Sequence, residues 1–78
     1  MAQLSFGEMV RTLRSEKGMT QLDLARKMGV TDKAVSKWER DLSIPDVGSL
    51  PKLAEELGVS VDDLLQAKTA SQEAAVES

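Results

Sequence analysis

The apolar residues of this chain recur at intervals of three and four, the spacing of one face of an α-helix. Phe6, Met9, Val10 and Leu13 form a first stripe, and Leu22, Leu24, Ala25 and Met28 a second. Val35, Trp38, Leu42 and Ile44 continue the set, followed by Leu50, Leu53, Ala54, Leu57, Leu64 and Leu65. Between the stripes one short phrase occurs three times: a Gly, one apolar residue, then Thr or Ser. The copies are Gly18-Met19-Thr20, Gly29-Val30-Thr31 and Gly58-Val59-Ser60. Gly just past a helix takes the left-handed conformation that closes the last turn. Thr or Ser then accepts hydrogen bonds from the free N–H groups of the next helix. Thr20 and Ser60 are followed three places on by Asp23 and Asp63, the spacing of a capping box, and Ser5 with Glu8 repeats it near the start. The residue before each cap has an apolar partner one turn into the helix: Leu4 with Met9, Met19 with Leu24, Val30 with Val35, Val59 with Leu64. Such staples set the angle at which the chain enters each helix.

These signals predict helices over residues 6–17, 21–28 and 32–40, a fourth ending near Leu57, and a fifth over 61–66. The start of the fourth is open. A cap at Asp46 would make Pro51 cost an internal hydrogen bond, whereas a cap at Ser49 puts Pro51 in the first turn, where none is lost. From 67 to 78 the chain is mostly Ala, Ser, Glu and Gln, without helical periodicity. The expected organisation is one domain over 1–66 and a disordered tail or linker over 67–78.

Helices two and three are joined only by Gly29, Val30 and Thr31. A three-residue turn containing Gly, between two short helices, is the signature of a helix-turn-helix. Ala25 faces that turn, where a small side chain lets the helices cross closely. Leu24, Met28, Val30, Val35 and Trp38 supply the apolar faces that hold the pair. Trp38, the only Trp, is read as core rather than as a base-stacking platform. The third helix carries Asp32, Lys33, Ser36, Lys37 and Arg40 as one polar stripe. Lys33 and Lys37 are four apart and repel each other, costing a few tenths of a kcal/mol. Folding gains nothing from that pair, and an anionic partner would relieve it. A solvated face is the competing reading of the same stripe.

Composition narrows the chemistry. Seventy-eight residues make one domain, and the chain has no Cys, His or Tyr. That removes disulfides, zinc–cysteine sites, a thiol nucleophile and the commonest general base. The adjacent carboxylates Glu55-Glu56 and Asp62-Asp63 diverge by about 100° on a helix, so neither pair converges on a substrate. An enzyme is disfavoured, and no metal, cofactor or effector is implied. No apolar stretch approaches the roughly 20 residues of a membrane span, and Met1-Ala2-Gln3-Leu4 lacks the basic region of an export signal. A cytoplasmic protein is expected. The net charge of −3 runs against a polyanionic partner until its distribution is considered. Residues 1–45 hold eight Lys/Arg and six Asp/Glu; residues 46–78 hold two and seven. Within Arg26–Arg40, five basic residues face two acidic ones, a local basic footprint inside an acidic chain.

Over about Phe6 to Leu65 the sequence resembles the lambda-repressor-like, Cro/CI-type (XRE) helix-turn-helix domains. The resemblance rests on Arg14, Gly18-Met19-Thr20-Gln21, Leu24-Ala25, Gly29-Val30-Thr31, Val35-Ser36-Lys37-Trp38-Glu39-Arg40, Pro45 and Leu57-Gly58-Val59-Ser60. It implies an all-α fold of five compact helices and a transcriptional regulator, commonly a repressor, whose third helix enters the major groove of double-stranded DNA. Carried over by position, Asp32, Lys33, Ser36 and Lys37 are the candidates for reading bases. Lys donates to guanine O6 and N7 and Asp accepts from the cytosine amino group, so a G·C-leaning half-site is expected. The resemblance gives Gln21 a phosphate-clamping role at the start of helix two, where free backbone N–H groups favour an anion. Thr31 would serve as both helix cap and backbone contact, and Arg40 and Ser43 would follow on phosphate. Lys27 receives no assignment. Arg14 and Glu39 are implied to form a partly buried structural pair tying helix one to helix three. A homodimer on DNA is expected; nothing in the sequence identifies its surface, for which exposed apolar residues of helices four and five are the candidates. Bound to DNA, such a protein would be associated with the nucleoid.

The alternative reading is an antitoxin-like or other protein-interaction module whose acidic second half (Asp46, Glu55, Glu56, Asp62 and Asp63) meets another protein. A solvated face that keeps DNA off the wrong side explains the same residues.

Overall fold

The computed structural model describes residues 4–67, and all of the predicted tail beyond Ala67 lies outside them. Helix α1 spans Phe6–Glu16, α2 Gln21–Met28, α3 Asp32–Glu39 and α4 Leu50–Leu57. A fifth helix, α5, covers 61–67. No strand occurs among the described residues. The described residues form an all-helical, five-helix domain.

The predicted punctuation is present atom by atom. Ser5 and Thr20 each accept from the backbone N–H three residues on, while Glu8 and Asp23 reach back to the N–H of the cap. Ser60 and Asp63 repeat the exchange at α5. The hydrogen bonds from the Thr20 backbone and hydroxyl hold the Asp23 carboxyl below the ordinary range. At the end of α2 the Val30 N–H donates to Ala25 O at 3.0 Å and the Gly29 N–H to Arg26 O at 3.3 Å, with Gly29 at φ 71°. That is a Schellman closure. The fourth helix starts at Leu50, preceded by a 3₁₀ turn over Val47–Ser49. Pro51 falls in its first turn, and neither Asp46 nor Ser49 caps with its side chain.

The core draws on every helix: Phe6 and Val10, Leu24 and Ala25, Val35 and Trp38, Leu50, Leu53, Ala54 and Leu57, then Leu64 and Ala67. Burying a Leu, Val or Phe side chain is worth about 1.5–3 kcal/mol, so this cluster is the principal favourable term. Met9, Leu13, Met19, Met28 and Val59 pack around it. Three residues placed in the apolar stripes lie at the surface instead: Leu22, Leu42 and Leu65 are 47%, 64% and 38% exposed. Leu22 sits on the outer side of a helix whose inward positions, Leu24 and Ala25, are already filled. Leu42 lies beyond the end of α3 in the turn that reverses the chain. Leu65 follows the inward Leu64 by about 100° of helix rotation. The staple residues divide as well, with Met19 and Val59 packed on the core and Leu4 and Val30 exposed. Ala67, expected as the first residue of the tail, belongs to α5 and is buried.

The two ends of the α1–α3 contact are joined in a way the hydrophobic pattern does not announce. A Cβ on Gly7 would lie 2.5 Å from both the Trp38 and Glu39 carbonyl oxygens, so the backbones meet there with no side chain between them. Just beyond, Asp41 takes the left-handed conformation at φ 59°. Its carboxylate accepts from the Gly7 N–H at 2.9 Å and the Ser5 hydroxyl at 2.8 Å. The Leu42 N–H to Lys37 O bond (2.9 Å) and the Asp41 N–H to Trp38 O bond (3.1 Å) complete a Schellman closure like those at Gly18, Gly29 and Gly58. Asp41-Leu42-Ser43 is thus a fourth copy of the repeated phrase, with Asp in the place of Gly.

Candidate nucleic-acid interface

Helix α3 has two unlike faces. Val35 and Trp38 point into the core, and Ala34 and Glu39 are half-buried beside them. Asp32, Lys33, Lys37 and Arg40 are exposed and Ser36 is half-exposed, so the predicted stripe forms one outward face. Eight residues make a rod about 12 Å long, short enough to lie within a groove of that width. The Thr31 hydroxyl oxygen accepts from the Ala34 N–H at 3.2 Å, which starts the helix and leaves the hydroxyl proton available to another acceptor. Arg40 Nε donates to the Ser36 carbonyl at 3.4 Å, and Ser43 is half-buried in the turn that follows. Gln21 begins α2, next to the Thr20 cap.

Beneath this face lies the ion pair implied for Arg14 and Glu39. Arg14 Nε donates to Glu39 Oε2 at 2.6 Å and its Nη2 to Oε1 at 3.2 Å, a bidentate geometry. The side chains are only 14% and 4% exposed. The third Arg14 nitrogen, Nη1, donates to the Met19 carbonyl at 2.7 Å. Gln21 Nε2 adds another donor to Glu39 Oε1 at 3.0 Å. Sequence reasoning did not foresee that last contact, because residues 21 and 39 lie on different helices and no local spacing links them. Lys27 reaches Glu56 at 3.9 Å across a largely exposed gap, an ion pair worth about 0–1 kcal/mol. Asp46, Glu55, Asp62 and Asp63 are exposed in the second half of the domain. No helix among the described residues is long and apolar enough to cross a membrane.

A short helix with a cationic outer face, held at a fixed angle by a three-residue turn, defines the DNA-binding helix-turn-helix class. The helix-turn-helix family model matches residues 10–64, and the chain belongs to this Cro/CI-type family of transcriptional regulators. The structure is similar to that of the P22 c2 repressor bound to a synthetic operator. The TM-score is 0.77 at 34% identity, over 86% of this chain and 100% of that one. SinR of Bacillus subtilis, an HTH-type transcriptional regulator, is 38% identical over 63 residues, 80% of this chain and 57% of SinR. A crystal structure of SinR in complex with DNA superposes with a TM-score of 0.69, over 77% of this chain and 97% of that one. The transcriptional activator BcrR of Enterococcus faecalis is 36% identical over 62 residues, 80% of this chain but 30% of BcrR. The chain therefore spans about a third to a little over half the length of these two regulators.

Proposed function

We propose that this domain binds double-stranded DNA sequence-specifically with α3 in the major groove, and that it acts as a transcriptional repressor by occupying its site. The outward stripe of Asp32, Lys33, Ser36, Lys37 and Arg40 opposite the buried Val35 and Trp38 carries the reading. Asp32, Lys33, Ser36 and Lys37 read base edges, with Lys favouring guanine and Asp favouring the cytosine amino group. Gln21, Thr31, Arg40 and Ser43 hold phosphates and so set the register without reading sequence. The domain acts by binding and not by catalysis, in the cytoplasm and on the nucleoid. Two copies read half-sites about 34 Å apart on one face of the duplex. The likeness to the P22 c2 repressor on its operator supports this mode.

Titrating the isotopically labelled domain with an arbitrary short duplex at low salt tests the reading by NMR. Non-specific binding is expected at roughly 10⁻⁴ to 10⁻⁶ M and weakens steeply as salt is raised. Shifts centred on Gln21 and Thr31–Ser43 are the expected result. Shifts on the exposed Asp46, Glu55, Asp62 and Asp63, or none, would overturn it. That outcome would favour the second reading, an antitoxin-like or other module with a protein partner, for which a complex of SinR with SinI among the similar structures is the precedent.

A further inference from the structure

The Arg14–Glu39 pair does more than tie helices together: we infer that Glu39 is a positioning residue for Gln21, locking its carboxamide with the N–H end inward so that a single remaining N–H serves DNA phosphate. This rests on the phosphate role proposed for Gln21.

The argument is one of hydrogen-bond capacity. The Glu39 side chain is nearly fully buried, and its carboxylate, paired with Arg14, offers two acceptor oxygens. Arg14 occupies both through Nε and Nη2, and the Gln21 amide adds a donor to Oε1 at 3.0 Å. The opposite rotamer of the amide would set the Gln21 carbonyl oxygen against a carboxylate oxygen, two acceptors with no proton between them. Only one orientation of the amide is therefore tolerated. In that orientation one Nε2 proton is consumed by Glu39, and the other cannot bond the same oxygen. An unanchored Gln samples both amide orientations before binding, only one of which offers an N–H to phosphate, and would lose side-chain entropy on being ordered. Arg14 contributes again at the other end, since its Nη1 holds the Met19 carbonyl two residues before Gln21. One buried pair thereby fixes both the backbone entry to α2 and the direction of its first side chain.

The test combines a mutant cycle with a direct observation of the wild-type amide. Wild type, Gln21→Ala, Glu39→Gln and the double variant are titrated with an arbitrary 20-base-pair duplex at low salt, at a temperature where melting curves show each to be folded. Gln21→Ala is expected to weaken binding about tenfold, the lower range for a hydrogen bond to a charged group. Glu39→Gln, whose new amide can donate to the Gln21 oxygen and turn it round, is expected to lose several-fold. The double variant should then bind like Gln21→Ala alone. A purely structural Glu39 would instead give losses that multiply, because they would not pass through Gln21. In the wild type, one of the two Gln21 Nε2 protons should be anchored before DNA is added and the other should shift on titration. Multiplying losses, or two equivalent and freely exchanging amide protons, would overturn the positioning role. Failure of the wild type to bind the duplex would overturn the functional reading beneath it as well, and is distinguishable on sight.

Discussion

Replacing Gly7 by Ala adds one methyl group at a close backbone contact between α1 and α3. The new Cβ would stand 2.5 Å from the Trp38 and Glu39 carbonyl oxygens, inside the 3.0 Å that real Cβ atoms respect. Both neighbours are backbone atoms in the last turn of α3, so no flexible side chain can give way. Helix α1 must lift, and its movement also loosens the Gly7 and Ser5 hydrogen bonds to Asp41. Overpacking of this kind costs about 1–3 kcal/mol, and a weakened bond to a charged acceptor adds about 1.5–3 kcal/mol. Against this stands the better helix propensity of Ala, up to about 1 kcal/mol. The net loss is about 1.5–5 kcal/mol. For a domain of this size each kcal/mol moves Tm by roughly 4–8 °C, so a fall of at least about 6 °C is expected. Thermal unfolding followed by circular dichroism and by Trp38 fluorescence measures it. Gly48→Ala is the control, because a Cβ there meets nothing within 4 Å. A Gly7→Ala variant that melts within a few degrees of wild type would refute the reasoning.

Three further outcomes follow from the same geometry. Arg14→Ala strands the buried Glu39 carboxylate and should cost about 3–5 kcal/mol, whereas Lys33→Ala on the exposed face should stay within about 0.5 kcal/mol; equal melting temperatures would contradict this. At position 41, Tm should fall in the order wild type, Asp41→Gly, Asp41→Ala, because Gly keeps the left-handed turn but loses the carboxylate, and Ala loses both; a tie between the two variants would show that the positive φ carries no cost. The Asp23 carboxyl is held below its unfolded value, so its stabilising contribution is present above about pH 4 and is lost as pH falls through the folded value. Asp23→Asn should therefore flatten the acid limb of a stability-against-pH curve, and an unchanged limb would count against the assignment.

What could be read in the chain beforehand was whatever local spacing encodes. Ser5, Thr20, Thr31 and Ser60 announce helix starts because a cap and the amides it binds lie within three residues. The left-handed residues at 18, 29 and 58 are legible because they are Gly. Asp41 has the same backbone role but hides behind an ordinary side chain, so the turn after α3 passed as an extension of the apolar stripe and Leu42 as core. Gly7 escaped notice for a different reason: what it must avoid lies more than thirty residues away, and an isolated Gly inside a helical run reads as a mild weakness. The stripe on α3 was legible because periodicity fixes which residues share a face. The link between Gln21 and Glu39 was not, since it depends on how two helices cross.

Asp41 also bears on the order in which the domain assembles. Its backbone terminates α3 while its carboxylate accepts from the Gly7 amide and the Ser5 hydroxyl at the start of α1, so a helix formed from the start of the chain cannot complete its own beginning until a later helix has ended. Fraying of α3 from its C-terminal end would release the N-terminus of α1 in the same event. The exposed helix and the first helix should thus open as one cooperative unit, with amide-exchange protection at Gly7 tracking that at Leu42.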